Sequence, residues 1–245
     1  MDKLGEHISH QFDEELEDVR NLVMQMGGIV EQQLTDAIKA LTDRDATLAE
    51  IVVTSDYKVN ALEVQIDEEC TQIIAKRQPA ASDLRLVIAV IKTITDLERI
   101  GDEAERIGRM AMHFAESGAD NKMITGIAHM GERALKILHD ALDTFARMDA
   151  DMAIEVARQD LKIDKQYESI MRELMTYMME DPRSIPMVIN MVWSARSLER
   201  IGDRARNICE YVIYLVKGKD VRHISLEQVE RDARDYSQKH SGNNK

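Results

Sequence analysis

Apolar residues recur every three to four positions along most of the chain. Leu34, Ile38 and Leu41 show the spacing, as do Leu84, Val87, Ile88, Ile91 and Ile94, and Leu135, Leu138 and Leu142. That is the period of a helix with one buried face, and the alternation of a half-buried strand is absent. Interruptions fall at TDRDA (42–46), QPAAS (78–82), SGADN (117–121), RMDAD (147–151) and DPRSI (181–185). Each carries capping acids, Ser, Gly or Pro. They predict six helices of about 30 residues, each about 45 Å long at about 1.5 Å per residue. Short connections make neighbouring helices antiparallel.

The pattern repeats. At an offset of 104, Met26-Gly27 matches Met130-Gly131, Leu34 matches Leu138, Asp36-Ala37 matches Asp140-Ala141, and Asp45-Ala46 matches Asp149-Ala150. Asp56 and Lys58 match Asp160 and Lys162 at the same offset, Pro79 matches Pro182 at 103, and the hexapeptide LERIGD recurs at 101. A period near 100 is too long for a solenoid repeat. It predicts an all-α chain of two tandem homologous three-helix bundles, over 1–117 and 118–217, with a polar tail over 218–245. In that tail Ser225 and Gln228 fit an S-x-x-Q capping pattern, and SQKHSGNNK reads as disorder.

Composition narrows the class. Aromatics are 4% and Pro counts three, which favours helix throughout. The net charge of −13 argues against nucleic acid, which calls for a basic face, and against direct attraction to anionic lipid. No apolar run is long enough to span a membrane and the N-terminal stretch lacks a signal-peptide core, so a cytoplasmic location is expected. Cys70 and Cys209 sit in apolar-periodic segments and read as buried free thiols. Met24, Met26, Met175, Met178 and Met179 read as helix core, with an adaptable partner-binding surface as the second reading. Gly27-Gly28 reads as a kink or a close helix crossing.

The candidate chemistry lies in LERIGD. On a helix, Leu97, Ile100, Ala104 and Ile107 form an apolar stripe, and Leu198, Ile201, Ala205 and Ile208 repeat it. Beside each stripe stand two acids at i, i+4: Glu98 with Asp102, and Glu199 with Asp203. Like charges at this spacing cost roughly 0.2–0.5 kcal/mol, and Gly101 and Gly202 cost up to about 1 kcal/mol each against Ala. Two readings fit. The carboxylates hold a cation, or they join an Arg network on a solvated helix through Arg99, Arg106 and Arg109. The acids Glu63, Asp67, Asp160 and Asp164 of helices 2 and 5 either complete a cluster between helices or lie on solvated faces, and the solvated reading is favoured. None of the seven His residues follows a Glu by three, so the Glu-x-x-His motif of di-iron bundles is missing. No P-loop, G-x-S-x-G or HExxH occurs, and no catalytic residues are assigned.

The paired LERIGD segments, MGGIVEQQL, IAKRQPAASDLR, FARMD and TYMMEDPRSIP together resemble the PhoU family, up to about Lys217. The resemblance implies two similar three-helix bundles, a homodimer and no enzymatic activity. It implies a cytoplasmic adaptor that keeps phosphate-starvation genes off and restrains phosphate uptake. Its implied partners are the ATPase subunit of a phosphate ABC transporter and the PAS domain of a sensor histidine kinase, so contact with the membrane is indirect. The family's acid-x-x-x-Asp signature falls on Glu98–Asp102 and Glu199–Asp203, implying Mg, Mn or Fe ions there. The family pattern places Asn four residues after the signature Asp. Asn207 fits it and Arg106 does not, which favours the second site. The alternative is a carboxylate metal-binding protein or metalloenzyme.

Overall fold

The computed structural model describes residues 10–115 and 122–221. The described residues form eight α-helices and a short 3-10 turn: α1 (His10–Asp43), α2 (Ala46–Ser55), α3 (Tyr57–Arg77), α4 (Ala81–Ala115), α5 (Lys122–Arg147), α6 (Ala150–Ala157), α7 (Asp160–Glu180), the turn Pro182–Ser184, and α8 (Ile185–Lys217). The predicted all-α fold and its duplication are present. The break expected at 117–121, the 225–228 cap, the polar end and His7, His223 and His240 lie outside the described residues.

The first predicted break and its repeat are built alike. Asp45 caps α2 by accepting from the Thr47 and Leu48 amides, and Asp149 caps α6 by accepting from Asp151 and Met152. Arg44 and Met148 turn the chain in the left-handed region, at φ 57° and 53°. These caps supply acceptors for amides with no partner inside the helix.

The second and fifth predicted helices are each broken in two, at Asp56 and at Arg158–Gln159. Near the first break, Thr54 and Ser55 hydroxyls donate to the Glu50 and Val52 carbonyls at 2.8 and 3.1 Å. Such back-bonding competes with regular helix. No Gly or Pro marks either site, so periodicity alone does not reveal the breaks. Their effect is to bring Asp56 and Asp160 to corners that face α4 and α8.

α4 packs against α1, α2 and α3; α8 packs against α5, α6 and α7; and α4 and α8 pack on each other. One continuous apolar core runs through both units. The repeat relates the contacts between them. A Cβ at Gly27 would lie 2.7 Å from Leu142, and one at the equivalent Gly131 would lie 2.9 Å from Ile38, the equivalent of Leu142. Gly27 therefore marks a close crossing of α1 and α5. At the α4–α8 contact, Arg204 and Tyr211 donate to Asp96, while Ser197 and Arg200 donate to Glu103. Under the offset of 101, Asp96 corresponds to Ser197 and Glu103 to Arg204. The two units meet through equivalent positions of α4 and α8 that carry different residues, an acid of the first unit facing Ser, Arg or Tyr of the second.

Cys70 and Cys209 are buried and free, and burial first of all pushes both thiols up to about 12. The core assignment holds for Met26 and, partly buried, for Met24 and Met178. It fails for Met175 and Met179, which are 51% and 83% exposed because they lie on the outer side of α7. Among the described residues no helix is long and apolar enough to cross a membrane.

Candidate metal centre

In the first unit, α4 carries Glu98, Asp102 and Glu105 along one line. The missing side chain at Gly101 lets the α2–α3 corner come down onto α4. A Cβ there would stand 3.2 Å from Asp56 Oδ1 and 3.3 Å from Gln33 Oε1. The glycine's propensity cost thus has a structural counterpart: it seats a carboxylate against the helix backbone. Gln33 of α1 is 5% exposed and donates from Nε2 to Asp56 Oδ1 at 3.1 Å, while its Oε1 has no hydrogen-bond partner. Asn60 Nδ2 donates to Asp56 Oδ2 at 3.0 Å.

Carboxylate oxygens of Asp56, Asp102 and Glu105 all lie within 4.8 Å of one another. Asp102 therefore belongs to a trio that the sequence reading did not assemble, and Glu98 stands beside it. Burial, then Asp102, Glu63 and Asp56, pushes Glu98 up to about 6. Burial, then Asp56 and Glu105, raises Asp102. Burial, then Asp67, raises Glu63, which is half-buried and not on a solvated face. Like charges gathered at a partly desolvated surface disfavour ionisation unless a cation joins them. The donor set is entirely carboxylate and amide oxygen. It suits a hard divalent ion such as Mg or Mn. The cation nearest Glu105 is Arg109, whose side chain is 59% exposed.

The second unit repeats the frame with different charges. Gly202 admits Asp160, whose Oδ1 would lie 2.8 Å from a Cβ at that position. Asp160 is fully buried, which corrects its assignment to a solvated face. The reason is the break before α7, which turns it inward. Its Oδ2 accepts from Arg206 Nη1 at 2.8 Å, and Oδ1 has no hydrogen-bond partner. Arg206 also lies 3.6 Å from Asp203 and 3.4 Å from Glu210. Glu199 accepts from Arg196 at 2.5 Å. Burial raises Asp160, with Arg206 opposing it, and burial raises Glu199, with Arg196 opposing it.

Arg106, which departs from the family pattern in the first unit, opposes the rise of the Asp102 carboxyl while pairing elsewhere. Arg106 turns to Glu103, 3.1 Å away. In the other unit Arg206 stands at the position equivalent to Glu105 and reaches two of the acids, Asp160 and Asp203. Asp56 and Asp160 were visible beforehand as a matched pair in the repeat. Gln33 had no such signal, because its equivalent is the buried Ile137.

Known proteins resemble this chain over nearly its whole length. The family profile described as the PhoU domain matches residues 23–111 and again 127–212. A "Phosphate-specific transport system accessory protein PhoU homolog" from Pseudomonas aeruginosa is 52% identical over 231 residues, covering 94% of this chain and 96% of the relative. The accessory protein PhoU from Escherichia coli K12 is 52% identical over 229 residues, 93% and 94% of the two lengths. The crystal structure of PhoU from Pseudomonas aeruginosa superposes with a TM-score of 0.83 at 52% identity, covering 85% of this chain and all (100%) of that one. That of the phosphate transport system regulatory protein PhoU from Streptococcus pneumoniae gives 0.80 at 31% identity, with 86% and 99% covered. Two matched domains and relatives this similar across both lengths make the chain a member of the PhoU family.

Proposed function

We propose that this chain is an accessory and regulatory protein of a phosphate-specific transport system. It acts in the cytoplasm as an adaptor between the transporter's ATPase subunit and a sensor histidine kinase, through the kinase PAS domain. In this role it holds the phosphate-starvation response off and restrains uptake when phosphate is plentiful. The observation that carries the reading is the end-to-end similarity, at 52% identity, to accessory proteins of such systems. The long charged outer faces of the helices suit protein contacts, and no catalysis is part of the proposal. Deleting the gene and assaying alkaline phosphatase in high phosphate tests it. Derepression that the wild-type chain reverses is expected; unchanged repression refutes it.

A divalent cation belongs to the same proposal. Asp56, Asp102 and Glu105, with Glu98 alongside, would hold it in the first unit, where it would neutralise a cluster of mutually repelling acids. The unpartnered Oε1 of Gln33 beside that cluster supports the fit. Homodimerisation is expected as well, and sedimentation equilibrium of the full chain checks it: a monomer at micromolar concentration would refute it.

A further inference from the structure

We infer that Arg206 is a tethered counter-ion that takes, in the second unit, the place a free cation takes in the first, so that only the first unit is open to a divalent ion. The inference rests on the cation reading given above for the first unit.

Aligning the units position by position isolates the change. The acids Asp56, Glu98 and Asp102 correspond to Asp160, Glu199 and Asp203, and the glycine that seats the corner acid is kept. What surrounds them is exchanged. Glu105 becomes Arg206 and Thr95 becomes Arg196. Glu63 becomes Tyr167, Asp67 becomes Met171, and Gln33 becomes Ile137. Each of these removes an oxygen ligand or an anion, or adds a positive charge. Two neighbours change the other way, Asn60 to Asp164 and Arg106 to Asn207, without bringing a guanidinium or an oxygen to the place of Glu105.

The geometry matches the exchange. Arg206 reaches Asp160 at 2.8 Å and Asp203 at 3.6 Å, and so spans the two carboxylates whose equivalents in the first unit form the trio with Glu105. Arg196 holds Glu199 and stacks over Tyr167 with its guanidinium 5.9 Å from the ring centre. A dication among these acids would face two guanidinium groups already engaged there. In the first unit the equivalent positions carry no positive charge, and Arg109 meets Glu105 from the solvent side. The unpartnered oxygens differ in kind. In the first unit it is the amide Oε1 of Gln33, whereas in the second Asp160 Oδ1 and Glu199 Oε2 are unpartnered but belong to carboxylates whose other oxygens Arg206 and Arg196 already hold.

The test is Mn2+ binding stoichiometry of the full chain by isothermal titration calorimetry after EDTA treatment, with folding checked by circular dichroism. About one equivalent per chain is expected for wild type, about two for Arg206→Gln, and none for Glu105→Arg, which moves the tethered charge into the first unit. Two equivalents in wild type, or one in folded Arg206→Gln, overturns the inference and leaves the cation reading standing. No binding by either protein overturns that reading together with the inference. If Arg206→Gln does not fold, Glu105→Arg decides: binding at wild-type affinity overturns the inference.

Discussion

Adding one methyl group at Gly202 is expected to destabilise the protein, although Ala is the better helix former. Alanine gains about 1 kcal/mol over glycine in a helix interior. Its Cβ, however, would lie 2.8 Å from Asp160 Oδ1 and 2.9 Å from Ile163 Cδ1. Neither neighbour yields easily. Ile163 is 1% exposed within the core, and Asp160 is fully buried with Oδ2 bound to Arg206. Overpacking of this kind costs about 1–3 kcal/mol. Retreat of the carboxylate would also weaken a buried ion pair, which places the cost in the upper half of that range. The net expectation is a loss of about 1–2 kcal/mol, or roughly 2–8 °C in Tm for a chain of this size. Gly28→Ala is the control. No atom lies within 4 Å of a Cβ there, so helix propensity acts alone and a gain of about 0.5–1 kcal/mol is expected. Gly101→Ala falls between, because its nearest atoms are at 3.2 and 3.3 Å and belong to Asp56 and Gln33, which are bonded to each other rather than to a guanidinium. Urea denaturation followed by far-UV circular dichroism orders the three variants. A Gly202→Ala protein as stable as wild type would refute the argument that the glycine exists to seat Asp160.

Stability without metal should fall as pH rises from about 4.5 to about 6, because burial and neighbouring acids raise Glu98 from 4.5 to about 6 in the folded state. The folded protein then binds more protons than the unfolded chain across that window. Glu98→Gln should flatten the slope in EDTA, and an unchanged urea midpoint profile would contradict it. Saturating Mn2+ at about 100 times Kd should add about 2.7 kcal/mol and raise Tm by about 5–10 °C; differential scanning calorimetry of Asp102→Asn/Glu105→Gln should show almost none of that gain. Asp96→Ala, which strips Arg204 and Tyr211 of a partner that is 2% exposed, should cost about 2–4 kcal/mol in urea denaturation. Both thiols should resist Ellman's reagent in the native protein and react on addition of urea, since Cys70 and Cys209 are both 0% exposed; rapid labelling of the native protein would disprove their burial.

The helices and the repeat were legible because both are periodic. An apolar stripe every three to four residues fixes a helix wherever it packs. Asp45 and Asp149 stop and restart the chain through bonds to their own neighbouring amides. Matched residues at a constant offset reveal duplication without any contact being known. The acids of LERIGD were legible for the same reason, since their i, i+4 spacing is local.

The centre itself needed the tertiary structure. Its third acid comes from a helix break that no Gly or Pro announces, and its orienting amide comes from Gln33, 23 residues before Asp56. Sequence placed Arg106 near the first acid pair by proximity along the chain, but side-chain direction sent it to Glu103. Arg206 followed the second motif as an ordinary helix residue until packing set it against Asp160. Local spacing determined which residues could share a helix face. Only packing between helices decided which charges meet, because electrostatic neighbours are chosen by distance through space. For this chain, that choice separates two units whose signature residues are identical.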